Sequence, residues 1–177
     1  MIHHDDDAET RLLQLENIEA IRRLKCAFAE RLDRMVNEAG PAQPVLDCFA
    51  ETATWESEHF GSYRGHSGLA TLLRAYREKL SFCLSFMLNH AITVDVFGKT
   101  AVGRWTTWSP MTADGQPLIL AGHHADTYSL IGDAWKITSV RLQTKFIADY
   151  RKGWAQDRIT KSWTWPPSPE KETRGVL

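Results

Sequence analysis

Two residues of this chain have the types needed for acid–base chemistry and sit at the borders of regular structure. Asp33 closes a run with helical spacing, in Leu32-Asp33-Arg34, and His90 stands in the extended run Leu88-Asn89-His90-Ala91-Ile92-Thr93-Val94. A carboxylate beside an imidazole fixes its tautomer and raises its basicity, so the ring can take a carbon-bound proton near neutral pH. An aspartate at the C-terminal end of a helix opposes the macrodipole, so it either faces water or meets a positive partner. His90 by itself reads better as a core histidine bonded to backbone. The pair says more than either member.

Other polar and aromatic residues are weaker candidates. His123 and His124 are adjacent on an extended run, so they point to opposite faces and cannot chelate one metal together. His124, Asp126 and Tyr128 share a face, and His124 is either a polar contact or proton donor in a cavity or a surface residue. Arg141 and Lys145 share a face with Ser139 and Gln143; they could hold an oxyanion or leaving group, or form a solvated strand edge. Trp55, Phe86, Trp105, Trp108 and Phe146 are candidates for the wall of a site for flat, ring-bearing ligands, with ordinary core as the reading for most of them. No Gly-rich phosphate cradle and no cluster of metal ligands is present in the sequence, so neither cofactor nor metal is expected.

The elements that would position these groups follow from periodicity. Leu12, Leu15, Ile18, Ile21, Leu24, Phe28 and Leu32 recur at three- and four-residue spacing, predicting a helix laid on a core up to Asp33. Gly40, Pro41 and Pro44 break the chain. A short helix is expected over Val45–Ala50, a strand over Thr52–Ser57, a turn through Gly61, and a second helix from Ser67 carrying Leu69, Leu72, Leu73 and Tyr76. The period then changes to two. Leu88–Phe97, Ala101–Met111, Leu118–Leu130 and Ala134–Ala148 read as strands joined at Gly98-Lys99, Asp114-Gly115 and Gly132-Asp133. Helices first and an antiparallel meander after is an α+β pattern. Gly103 and Gly122 inside long strands imply strong curvature, and a curved sheet around the first helix leaves a cone-shaped apolar cavity.

Bulk properties exclude several classes. Lys and Arg number 21 against 22 Asp and Glu, so no field favours nucleic acid. The three cysteines are far apart and form no C-x-x-C, which suits a reducing cytoplasm. No apolar run approaches the ~20 residues of a membrane span, and the start, Met1-Ile2-His3-His4-Asp5-Asp6-Asp7, does not resemble a signal peptide. The 177 residues are expected to form a disordered leader (1–8), one domain (9–150) and a tail (151–177). Trp154, Trp163 and Trp165 in that tail are expected to pack on the domain or on a partner subunit, with a mobile end after Pro166.

With these residues in view, the chain resembles the SnoaL-like branch of the nuclear transport factor 2-like superfamily. The features that carry the likeness are the long helix ending in Leu32-Asp33, the run Cys48-Phe49-Ala50-Glu51-Thr52-Ala53-Thr54-Trp55, Gly61 to Gly65 ahead of a second helix, His90, and Asp133-Ala134-Trp135-Lys136-Ile137. They span roughly residues 12 to 148. The resemblance implies a cone-shaped α+β barrel of nuclear transport factor 2-like or cystatin-like type, its long N-terminal helix packed on a strongly curved, mainly antiparallel sheet. Enzymes of this branch include scytalone dehydratase, hexachlorocyclohexane dehydrochlorinase and bile acid 7α-dehydratase, in which a helix-end Asp and a strand-borne His form the catalytic dyad. Asp33 and His90 fall on those positions, with Phe28, Trp55, Tyr63, Phe86, Trp105, His124 and Arg141 expected around the substrate. Some of these lyases carry Tyr or Lys five residues before the Asp; here Phe28 stands there and cannot donate a proton, leaving Tyr63, His124 or Arg141 to assist a leaving group. The implied activity is a cofactor-independent lyase, a dehydratase acting on a small cyclic or polyketide-like molecule. An isomerase or cyclase with the same base, or a non-catalytic small-ligand-binding or assembly protein, is the alternative. A homodimer or higher homo-oligomer is expected, with no nucleic-acid or membrane partner.

Overall fold

The computed structural model describes residues 5–168. Helix α1 (Asp5–Asn37) is followed by the short α2 (Gln43–Leu46), strands β1 (Phe49–Ser57) and β2 (Gly61–Arg64), helix α3 (Gly65–Lys79), and strands β3 (Leu80–Cys83), β4 (Phe86–Val94), β5 (Thr100–Ala113), β6 (Gln116–Ile131) and β7 (Ala134–Asp149). The seven strands form one sheet in the order β2-β1-β7-β6-β5-β3, with β4 also pairing β5. This is a curled sheet, a half-barrel closed over by α1 and α3.

Several elements differ from the periodicity-based expectations. α1 begins at Asp5, inside the expected leader, whose residues 1–4 lie outside the described residues. Leu12 and Leu15 are 57% and 64% exposed, so the apolar stripe meets the core only from Ile18 onward. Pro44 sits in the first turn of α2, where its missing N–H costs nothing, and the helix ends at Leu46 so that β1 already starts at Phe49. The expected turn through Gly61 is the start of strand β2, which hydrogen-bonds back to β1. β1 runs parallel to β7, its partner from the far end of the domain, and this pairing makes the sheet mixed.

The long strands bend where residues are out of register. β7 carries bulges opposite Ala121/Gly122 and opposite Thr127/Tyr128, and β4 carries one between Leu88 and Ala91. Bulges increase twist and curl a sheet. Gly122 fits the first of them because a Cβ there would stand 2.6 Å from the Gln143 carbonyl oxygen. The tail is tied down: Ile159 bridges Ile147, Trp163 and Trp165 stack on each other and pack at a tilt on Phe60, and Ser168 is buried against Gly61. Residues 169–177, the expected mobile end, lie outside the described residues.

Candidate functional site

The hollow of the half-barrel holds a cavity of about 40 Å³ lined by Phe28 and Leu32 of α1, Trp55 of β1, Phe60, Tyr76 of α3, Ser85, Met87, Thr107, Ser109, His124 and Leu142 among others. A void of about 10 Å³ adjoins it, sharing Phe28, Leu32, Trp55 and Tyr76. A site for a drug-sized ligand usually measures ~300 Å³ or more, so a ring-bearing molecule would fit only after lining side chains move. Met87 and Met111 are unbranched and adaptable enough to do so. A wider groove of about 760 Å³ is lined by Arg104, His123, Arg141 and Gln143 together with the buried Trp105, His124 and Leu142. Its charged groups are exposed.

Asp33, half-buried in the last turns of α1, does not itself line the cavity but is bonded to Ser85 and Cys83, which do. Its carboxylate accepts the Ser85 hydroxyl at 2.8 Å, the Ser85 backbone N–H at 2.9 Å and the Cys83 thiol at 3.4 Å. Burial, reinforced by the Asp33 charge, pushes the Cys83 thiol far up. His90 is elsewhere. The β4 bulge includes Asn89 at φ 48°, which shifts the alternation by one residue and sets His90 over Trp105, ring centroids 5.1 Å apart, in an exposed position. No hydrogen bond joins Asp33 to His90 among the described residues. Where the resemblance implies a histidine beside the helix-end aspartate, the fold places Ser85.

Deeper in the barrel is a polar network that periodicity alone did not reveal. Lys25 of α1 is fully buried, its Nζ 2.6 Å from Asp126 Oδ2 and 3.1 Å from His124 Nδ1. Tyr128 donates to the same Asp126 oxygen at 2.8 Å and accepts the Trp105 indole N–H at 2.9 Å. Phe28 lies beneath the ammonium, 5.0 Å from Nζ to the ring centroid. His124, Asp126 and Tyr128 do share the inner face of β6, as strand alternation requires. Gly103 opposite them leaves the room: a Cβ there would stand 2.9 Å from the Tyr128 ring. Lys25 was detectable in principle, because Ile18, Ile21, Lys25, Phe28 and Leu32 keep helical spacing and the lysine interrupts that apolar stripe.

The network sets the state of His124. An ammonium only donates, so His124 Nδ1 must accept, and the ring proton resides on Nε2. Burial and the Lys25 charge hold the His124 pKa well below its usual value, so the ring is neutral. Nε2–H has no partner among the described residues, and His124 lines the cavity. Tyr128 is pushed far up by burial and by Asp126, and remains a phenol. Five buried side-chain atoms among the described residues have no hydrogen-bond partner, Asp126 Oδ1 and the Trp55 indole N–H being the two near this network. Each costs about 1–3 kcal/mol when nothing satisfies it.

The remaining expected site residues divide by face. Phe28 and Trp55 line the cavity, whereas Trp105 is buried deeper, in the polar network. Tyr63 is buried on β2 and accepts the Trp165 indole N–H at 3.3 Å, away from the cavity lining. Phe86 is 46% exposed and pairs in register with Trp108, which packs with Phe146 and Trp154 in an aromatic cluster outside the barrel. Arg141 also points outward, because Leu142 takes the inward position beside it, and it is paired with Glu56 at 3.0 Å.

The model of the SnoaL-like domain matches residues 13–141, and the chain belongs to that family. Among solved structures, a candidate aromatic ring hydroxylase from Novosphingobium aromaticivorans superposes with a TM-score of 0.68 at 21% identity, covering 78% of this chain and 96% of that one. A candidate scytalone dehydratase from the same organism gives a TM-score of 0.68 at 19% identity, covering 81% and 91%. LinA gives 0.69 at 17% identity, covering 79% and 93%. At these identities the likeness is one of fold. A comparison of the sequence with curated proteins finds no match.

Proposed function

We propose that the protein binds a small, ring-bearing molecule in its interior cavity and moves a proton on it without a cofactor, as a lyase or isomerase. The observation that carries this reading is His124, a neutral imidazole on the cavity wall with no partner for its Nε2–H among the described residues, together with Ser85 of the same lining, whose hydroxyl donates to Asp33. Names among the structural neighbours, a candidate scytalone dehydratase and LinA, are consistent with it. In this scheme the Asp33 carboxylate takes a proton from carbon, and His124 donates to the atom that gains negative charge. Of the residues expected to assist a leaving group, His124 lines the cavity, whereas Tyr63 and Arg141 do not. The test is solvent exchange: an enolisable ring ketone such as a tetralone, held in D2O with the protein, should incorporate deuterium next to its carbonyl faster than in buffer. Asp33→Asn should abolish the acceleration. A wild-type rate equal to buffer would remove the catalytic reading.

Binding without turnover is the second reading, favoured by Ser85 standing where a dyad would need a histidine. It requires the same ketone to bind, by calorimetry, with no exchange.

A further inference from the structure

Lys25 has no exposed surface, and its ammonium has three neighbours: Asp126 Oδ2 at 2.6 Å, His124 Nδ1 at 3.1 Å, and the Phe28 ring, 5.0 Å from Nζ to the centroid. No other charged group is bonded to it among the described residues. A carboxylate alone would hold a buried ammonium, and an apolar pair of the same volume would often hold the barrel at least as well. Of the polar members of this network, Lys25, His124, Asp126 and Tyr128, His124 alone lines the interior cavity. We infer that Lys25 supplies the proton that His124 gives up in the cavity, so that the two form a relay from the barrel interior to the ligand. Lys25 acts through the ring and is its positioning residue. This rests on the proposed function and names the source of its proton.

An imidazole that lost its Nε2–H with nothing arriving at Nδ1 would be an anion inside the barrel, a form that burial disfavours. The Lys25 N–H on Nδ1 removes that difficulty, because the ring gains a proton on one side as it loses one on the other. In the donating direction the Nε2–H bond breaks, and its proton bonds to the ligand atom that gains negative charge. An N–H bond of the ammonium breaks, and that proton bonds to Nδ1. The ring ends neutral in its other tautomer, and Lys25 ends as an amine. The negative charge lost by the ligand remains as the Asp126 carboxylate, no longer offset by an ammonium, to which Tyr128 and the Lys25 amine still donate. A proton later taken up at Nε2 runs the same steps backward and restores the ammonium. The groups behind the ring are already committed. The Trp105 indole N–H donates to Tyr128 at 2.9 Å, and the Tyr128 hydroxyl donates to Asp126 at 2.8 Å. Lys25 is therefore the network's one proton source in contact with the ring.

The test is the tetralone exchange in D2O, run on the full chain. Lys25→Gln together with Asp126→Asn removes both charges at once and leaves an amide N–H able to donate to Nδ1. The ring then keeps its tautomer but has no acid behind it. The rate at saturating tetralone should fall about a hundredfold, the lower end of what a positioned acid supplies, while KM stays within about twofold. His124→Gln should fall to a similar rate, and adding it to the double variant should change little, because members of one relay are not additive. Nitrogen NMR of the unliganded wild-type protein, which needs no variant to fold, should show the His124 ring protonated at Nε2. A double variant as fast as wild type, a rise in KM in place of a fall in rate, additive losses, or a ring protonated at Nδ1 overturns the relay and leaves the proposed function standing. If the wild-type protein does not exceed buffer, the catalytic reading fails and takes the relay with it.

Discussion

Ser85 meets Asp33 twice, its hydroxyl donating to one carboxylate oxygen at 2.8 Å and its backbone N–H to the other at 2.9 Å. This contact joins the end of α1 to the start of β4, and it engages both oxygens that an Asp33–His90 dyad would draw on. A double-mutant cycle separates the two arrangements. Asp33→Ala should cost about 1–3 kcal/mol in urea unfolding, and its coupling to Ser85→Ala should be about 1 kcal/mol. Asp33→Ala and His90→Ala should add to within about 0.5 kcal/mol. A coupling above 1 kcal/mol between Asp33 and His90 would show that they interact after all.

Lys25 and Asp126 are both withdrawn from water. Lys25→Met should destabilise the protein by about 3–5 kcal/mol, because it strands the Asp126 charge in the interior. Adding Asp126→Leu removes that charge, and the double variant should regain more than half of the loss. A double variant as unstable as the sum of the two single ones would argue against the ion pair.

His124 makes stability depend on pH with a defined sign. Its pKa is depressed in the folded protein by burial and by Lys25, whereas an unfolded histidine titrates near 6.5. Below that value the unfolded chain takes up a proton that the folded chain refuses. The histidine therefore costs nothing above about pH 7, and stability declines as pH falls beneath about 6.5, by at most ~1.4 kcal/mol per pH unit. Unfolding midpoints measured from pH 7.5 to 5 should show this slope, and His124→Gln should flatten it.

Trp165 packs at a steep angle against Phe60 and Tyr76, ring centroids 4.7 and 5.1 Å apart, and both of those rings line the cavity. Trp165→Ala should lower stability by about 2 kcal/mol, less than the ~3–5 kcal/mol of a fully buried tryptophan. It should also speed nitrobenzene binding, read by stopped-flow fluorescence. An unchanged association rate would mean that this strap does not limit access.

What the sequence by itself determined is local. Spacings of three and four placed the two long helices, alternation placed the long strands, and the same alternation put His124, Asp126 and Tyr128 on one face, because each pattern depends only on neighbours in the chain. The family likeness was legible for the same reason, since its motifs lie at the ends of those elements. What lies opposite each face was decided by tertiary structure. The parallel pairing of β1 with β7, the partner waiting for Lys25, and the bulge at Asn89 that sets His90 over Trp105 and leaves Asp33 to Ser85 all depend on register between distant strands. A one-residue slip reverses every side chain beyond it, and whole-sheet packing, not local preference, selects the register.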